Sequence, residues 1–88
     1  MKPLSDNEII GKILDGNQEL FSLLVERYKS PVAAVIKGML GNGPEAEDVG
    51  QETFIRLYHS LAGFRGDAAL KTYLIRIAMN LSLTRLKG

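Results

Sequence analysis

Apolar residues recur along the chain with the period of an α-helix, and nowhere with the alternation of a strand. Ser5 followed by Glu8 has capping-box spacing. It opens a first helix whose apolar face is Ile9, Ile10, Ile13 and Leu14. Gly16-Asn17 stops that helix, because both residues tolerate positive φ. Leu20, Phe21, Leu24 and Tyr28 then keep helical spacing, with Leu23 and Val25 widening the stripe. This predicts a second helix from Gln18 to about Ser30, which Pro31 should end or kink. Val32, Val35, Ile36, Met39 and Leu40 predict a third segment, and Gly41-Asn42-Gly43 breaks it.

Pro44 suits the first turn of the next helix. Its inward stripe is Ala46, Val49, Thr53, Phe54, Leu57 and Leu61, and Gly50 is a mild flaw within it. Gly63 and Gly66 bracket a loop, and Asp67 is placed to cap a last helix. The inward face of that helix is Leu70, Leu74, Ile77, Leu81 and Thr84. The expected fold is all-α, a compact bundle of four to five helices joined by short loops.

Composition narrows the class. Eighty-eight residues make one domain, and 45% apolar content is that of a globular chain. The net charge of +1 hides a gradient. Residues 1–64 carry six basic and nine acidic side chains, net −3, whereas residues 65–88 carry five and one, net +4. The basic end offers a local field for polyanions. There is no cysteine and one histidine, His59. A disulfide framework and a thiolate metal site are therefore excluded, and no cofactor or metal is expected. The start lacks the apolar run of a signal peptide, and no stretch approaches the roughly 20 apolar residues of a membrane span. A soluble, intracellular, cytoplasmic protein without membrane insertion is the expectation. The chain ends at Leu86-Lys87-Gly88 within a helical pattern, which suggests a fragment of a longer protein.

The last two helices have opposite charge. On the acidic one, Asp48, Gln51, Glu52 and Ile55 share the face opposite the core stripe. Such a face can dock another protein's helices through charge-assisted bonds to arginine. A solvated face with a well-capped start is the more ordinary reading of the same residue types. On the basic helix, Thr72, Arg76, Asn80, Leu83 and Lys87 fall within a narrow arc, flanked by Lys71 and Arg85. With Phe64, Arg65 and Tyr73 they supply cations for phosphates, aromatic rings for stacking and an amide for a base edge. Single-stranded nucleic acid needs that combination. Equally, the basic residues can serve only solubility, with Phe64 and Tyr73 in the core. No enzyme constellation emerges. His59 has no relay partner nearby in sequence, and Gly41-Asn42-Gly43 lacks the ending of a phosphate loop.

Three blocks resemble a known family: Phe21–Tyr28, Ala46–Tyr58, and Phe64-Arg65-Gly66 followed by Leu70–Asn80. In order and spacing they are similar to region 2 of bacterial RNA polymerase sigma factors, specifically the extracytoplasmic-function (ECF) group. The resemblance covers nearly the whole chain and implies an isolated region 2 domain, residues 1–88, without the −35-binding domain. It implies that Asp48, Gln51, Glu52 and Ile55 dock on the clamp helices of the polymerase β′ subunit. It also implies that Phe64, Arg65, Lys71, Thr72, Tyr73, Arg76 and Asn80 bind the single non-template strand of the promoter −10 element as it melts. An anti-sigma factor is a further implied partner. Two positions depart from the family pattern: Tyr73 stands where tryptophan is usual, and Gly50 where an apolar or β-branched residue is usual. The competing reading is a protein-only adaptor or anti-sigma-binding module that binds no DNA. A membrane-surface helix is weaker still, with about five cations and no tryptophan.

Overall fold

The computed structural model describes residues 2–64 and 69–88. Four helices account for most of them: α1 (Asp6–Leu14), α2 (Phe21–Leu40), α3 (Pro44–Ser60) and α4 (Leu70–Lys87). Single 3₁₀ turns, Gln18–Leu20 and Leu61–Gly63, precede α2 and follow α3. The three long helices pack against one another in all three pairings, and α1 rests on α2 and the second 3₁₀ turn.

The α1 start is as the sequence predicts. The Glu8 N–H donates to Ser5 Oγ at 3.2 Å, and the Ser5 N–H donates to Glu8 Oε1 at 3.0 Å. Gly16 takes φ +116 just after α1, a region that side chains other than glycine rarely enter. α1 is then clasped to α2. Arg27 Nη1 lies 2.8 Å from Asp6 Oδ1, Arg27 Nη2 donates to the Leu4 carbonyl at 2.9 Å, and the Tyr28 hydroxyl donates to Asp6 Oδ2. Burial, then the bond to Asp6 and its charge, push the Tyr28 phenol up to about 12.

Of the two outcomes expected at Pro31, an end or a kink, the helix does not end. α2 runs through it from Phe21 to Leu40 as one element. A proline inside a helix costs about 3 kcal/mol, through a lost N–H bond and a ring clash. Leu24 on one side of it, and Val32 and Ile36 on the other, are all buried in the same core. At roughly 1.5–3 kcal/mol for each buried side chain, their burial outweighs that cost.

The core joins Ile9, Ile10 and Ile13 of α1, the three α2 residues just named, Ala46, Val49 and Leu57 of α3, Leu61, and Leu70, Leu74 and Ala78 of α4. Thr53 is buried too, its hydroxyl donating to the Val49 carbonyl at 2.7 Å. Five expected inward positions differ. Leu14 and Leu23 are exposed, because α1 and the start of α2 lie at the edge of the bundle. On α4 the buried row is Leu70, Leu74, Ala78 and Ser82. Ile77 and Leu81 are only half-buried, and Thr84 is exposed. The small residues Ala78 and Ser82 let the backbone of α4 approach its neighbours, which turns the larger side chains to the rim of the interface. The N-cap of α4 is Ala69, without a side-chain cap bond, and Asp67 lies outside the described residues.

Candidate nucleic-acid and protein interfaces

α3 separates its residues by face. Its first turn carries Glu45 and Glu47 at the positive end of the macrodipole. Ala46, Val49, Thr53 and Leu57 point into the core. Asp48, Gln51 and Ile55 are exposed on the opposite side, and Glu52 is partly exposed beside them. The four residues predicted for a protein contact are thus brought together on one outward strip. Ile55 is 55% exposed, an apolar centre ringed by hydrogen-bonding groups. Gln51 and Ile55 also border a groove of about 620 Å³ between α2 and α3, with Val25, Val32, Ala33 and Phe54 along it. Lys29 and Lys37 stand on its α2 wall and Glu47 on its α3 wall. Gly50 lies in the same groove. A Cβ there would meet only Ile36 Cδ1, at 4.0 Å, so neither packing nor backbone geometry demands the glycine.

α4 presents the second candidate surface. Thr72, Arg76 and Asn80 are all exposed, as are Leu83 and Lys87 along the same arc. Lys71 is exposed as well, but at 100° per residue it stands about 140° from Arg76, so it projects from another side of the first turn. Phe64 and Tyr73 are half-buried, their ring centroids 5.4 Å apart. The Tyr73 hydroxyl donates to Ser60 Oγ at 3.0 Å. That bond fixes the ring at the junction of α3 and α4, with part of it against the core and part accessible. Arg65 lies outside the described residues.

Tertiary packing adds residues that sequence reasoning did not single out. A groove of about 510 Å³ is formed by Arg56, His59 and Ser60 of α3 with Tyr73, Ile77, Asn80, Leu81 and Thr84 of α4. The half-buried Ile77 and Leu81 contribute its apolar surface. His59 is exposed in the last turn of α3, edge-on to Tyr58 at 5.8 Å. The one available signal was the i, i+3 spacing of Arg56 and His59 at the end of an otherwise acidic helix.

The cations of this region are not equivalent. Arg85 pairs with Glu45 at 3.8 Å and Arg56 with Glu52 at 3.5 Å. Lys71, Arg76 and Lys87 make no ion pair among the described residues. No helix among these residues is long and apolar enough to cross a membrane.

Known proteins share this arrangement. The family model for Sigma-70 region 2 matches residues 24–88. The ECF RNA polymerase sigma-E factor of Escherichia coli (strain K12) is 42% identical over 77 residues, covering 88% of this chain and 40% of that protein. The RNA polymerase sigma-H factor of Pseudomonas aeruginosa is 39% identical over 75 residues, covering 85% of this chain and 39% of that protein. The chain thus spans about two fifths of the length of the curated relatives it matches. Among solved structures, an engineered region 2 of sigmaE in complex with GTAAAA superposes with a TM-score of 0.88 at 34% identity. That match covers 99% of this chain and 92% of the other.

Proposed function

The chain belongs to the Sigma-70 region 2 family, and on that basis we propose that it is a promoter-recognition module with two separate contact surfaces. The outward strip of α3, Asp48, Gln51, Glu52 and Ile55, docks on the clamp helices of the RNA polymerase β′ subunit. The α4 surface holds the single non-template strand of the −10 element. Arg76 binds phosphate there, Thr72 and Asn80 reach phosphate or base edges, and Lys71 and Arg65 add charge from the flank and the loop. Tyr73 and Phe64 offer ring faces on which an unpaired base can stack. The module acts by binding, in the cytoplasm, and an anti-sigma factor is its expected regulator.

The observation that carries this reading is the close likeness, at 34% identity, to a sigmaE region 2 in complex with GTAAAA. The exposure of Thr72, Arg76 and Asn80 on one arc of α4 supports it. Tyr73 is smaller than the tryptophan usual in the family, and its hydroxyl bond to Ser60 restricts its movement. Strand separation here rests on capture of an already opened strand more than on a wedge.

The test is a pair of titrations followed by fluorescence anisotropy. A β′ clamp-helix fragment should bind the wild-type chain and lose affinity at least tenfold for Asp48→Ala with Gln51→Ala. The single strand GTAAAA should bind with strong salt dependence, unaffected by those two substitutions. Clamp binding without strand binding at any salt concentration would instead establish the protein-only module.

A further inference from the structure

Ser60 is the last residue of α3 and stands where α3 meets α4. In a regular helix the Leu61 N–H would bond the Leu57 carbonyl; here it turns to the Tyr58 carbonyl instead. The Ser60 hydroxyl takes over and donates to the Leu57 carbonyl at 3.1 Å. Its one proton is thereby committed, and its oxygen is left to accept. The Tyr73 hydroxyl donates to that oxygen at 3.0 Å, from the other helix.

Three restraints therefore meet on the Tyr73 ring. Part of it packs against the core. The Phe64 ring lies 5.4 Å away, tilted by 49°. The hydroxyl end is anchored, through Ser60, to the backbone of α3. Ser60 and Tyr73 also line the same groove between α3 and α4. A tyrosine offers less packing surface than the tryptophan usual at this position, and the hydrogen bond supplies the orientation that bulk would otherwise give.

We propose, resting on the function above, that Ser60 is a positioning residue for strand binding. It does not touch the strand; its hydroxyl holds the Tyr73 ring in the orientation in which an unpaired base stacks on it. Ordering a loose side chain during binding costs affinity, and a ring already held avoids that cost. For one side chain the effect is about two- to tenfold in Kd.

The experiment measures anisotropy of a labelled GTAAAA strand, and of strands with one abasic position each, well below the unfolding midpoints. The proteins are wild type, S60A, Y73F and S60A/Y73F. Alanine is a good helix former and phenylalanine keeps the ring; Y73F removes the same bond from the other side if S60A does not fold. S60A and Y73F should each weaken binding about two- to tenfold, and the double variant no further. The salt slope should stay that of wild type, because no phosphate contact is lost. The loss should vanish on the one strand that lacks the base stacked on Tyr73, and persist on the others. A loss of equal size on every strand, that one included, assigns S60A a merely structural effect and overturns the proposal. If S60A still weakens binding in the Y73F background, Ser60 touches the strand itself and the positioning role is refuted. Wild type that binds no strand at any salt refutes the function proposed above as well, whereas strand binding untouched by S60A and Y73F refutes only the role of Ser60.

Discussion

Arg76 gives the sharpest test of the α4 surface. Three α4 cations, Lys71, Arg76 and Lys87, are exposed and free of ion pairs among the described residues. Each phosphate neutralised on a single strand contributes about −0.7 to the slope of log K against log salt, so these three contribute about −2.1. Between 50 and 200 mM salt, a fourfold change, that slope lowers affinity about 18-fold. R76A should reduce the α4 contribution to about −1.4, a loss of about sevenfold over the same range. K71A with R76A should leave about −0.7, or less than threefold. Arg76 is exposed and makes no ion pair among the described residues, so thermal stability should be unchanged and the slope is read without a folding correction. The assay is anisotropy of a labelled GTAAAA strand at four salt concentrations. K71A alone should flatten the slope by about the same 0.7, because Lys71 is counted as one phosphate contact from the flank of the helix. An R76A slope equal to that of wild type would mean that the strand does not run along this arc.

Other outcomes follow from the interior and the clasp. Ser82 is fully buried, and its hydroxyl has no hydrogen-bond partner among the described residues. Ser82→Ala removes that unsatisfied group and improves helix propensity, so stability should rise by about 1 kcal/mol, or roughly 4–8 °C in Tm. A fall in Tm would show that the hydroxyl is satisfied. Gly50→Ala meets only an ordinary contact with Ile36, so it should stabilise α3 by about 0.5–1 kcal/mol in urea unfolding. A destabilised variant would mean that the groove between α2 and α3 has no room for the added methyl group. The folded-state pKa of Tyr28, about 12, lies above the ordinary tyrosine value of 10. The neutral phenol therefore contributes stability that is fully present below pH 10 and is lost as pH rises toward 12. Urea midpoints at pH 9 and 11.5 should converge between wild type and Tyr28→Phe at the higher pH, and an unchanged gap would remove the clasp from the stability of α1.

Much of the fold was legible because each helix is written with its own punctuation. Ser5 and Glu8 announce the start of α1, Gly16 and Gly41 take the positive φ values that end their elements, and Pro44 opens α3. The acidic strip of α3 was legible for the same reason: Asp48, Gln51, Glu52 and Ile55 share one helix, where spacing alone decides which residues are neighbours. That α2 continues through Pro31 was not legible, because local propensity weighs against a helix there, while the burial of Leu24, Val32 and Ile36 weighs for it. Only the second depends on what α2 touches.

The sequence by itself therefore determined the helical class, the helix ends and the residues that share a face within each helix. Those properties depend on backbone geometry and on neighbours three or four positions away. The tertiary structure alone decided that Leu14, Leu23 and Thr84 lie outside, that Ala78 and Ser82 mark the close approach of α4, and that Arg56, His59 and Ser60 face Tyr73 and Asn80. Those residues come from different helices, and the crossing of α3 and α4 sets which of their faces meet. That crossing is fixed by packing density summed over the whole core, a quantity no local window of sequence contains.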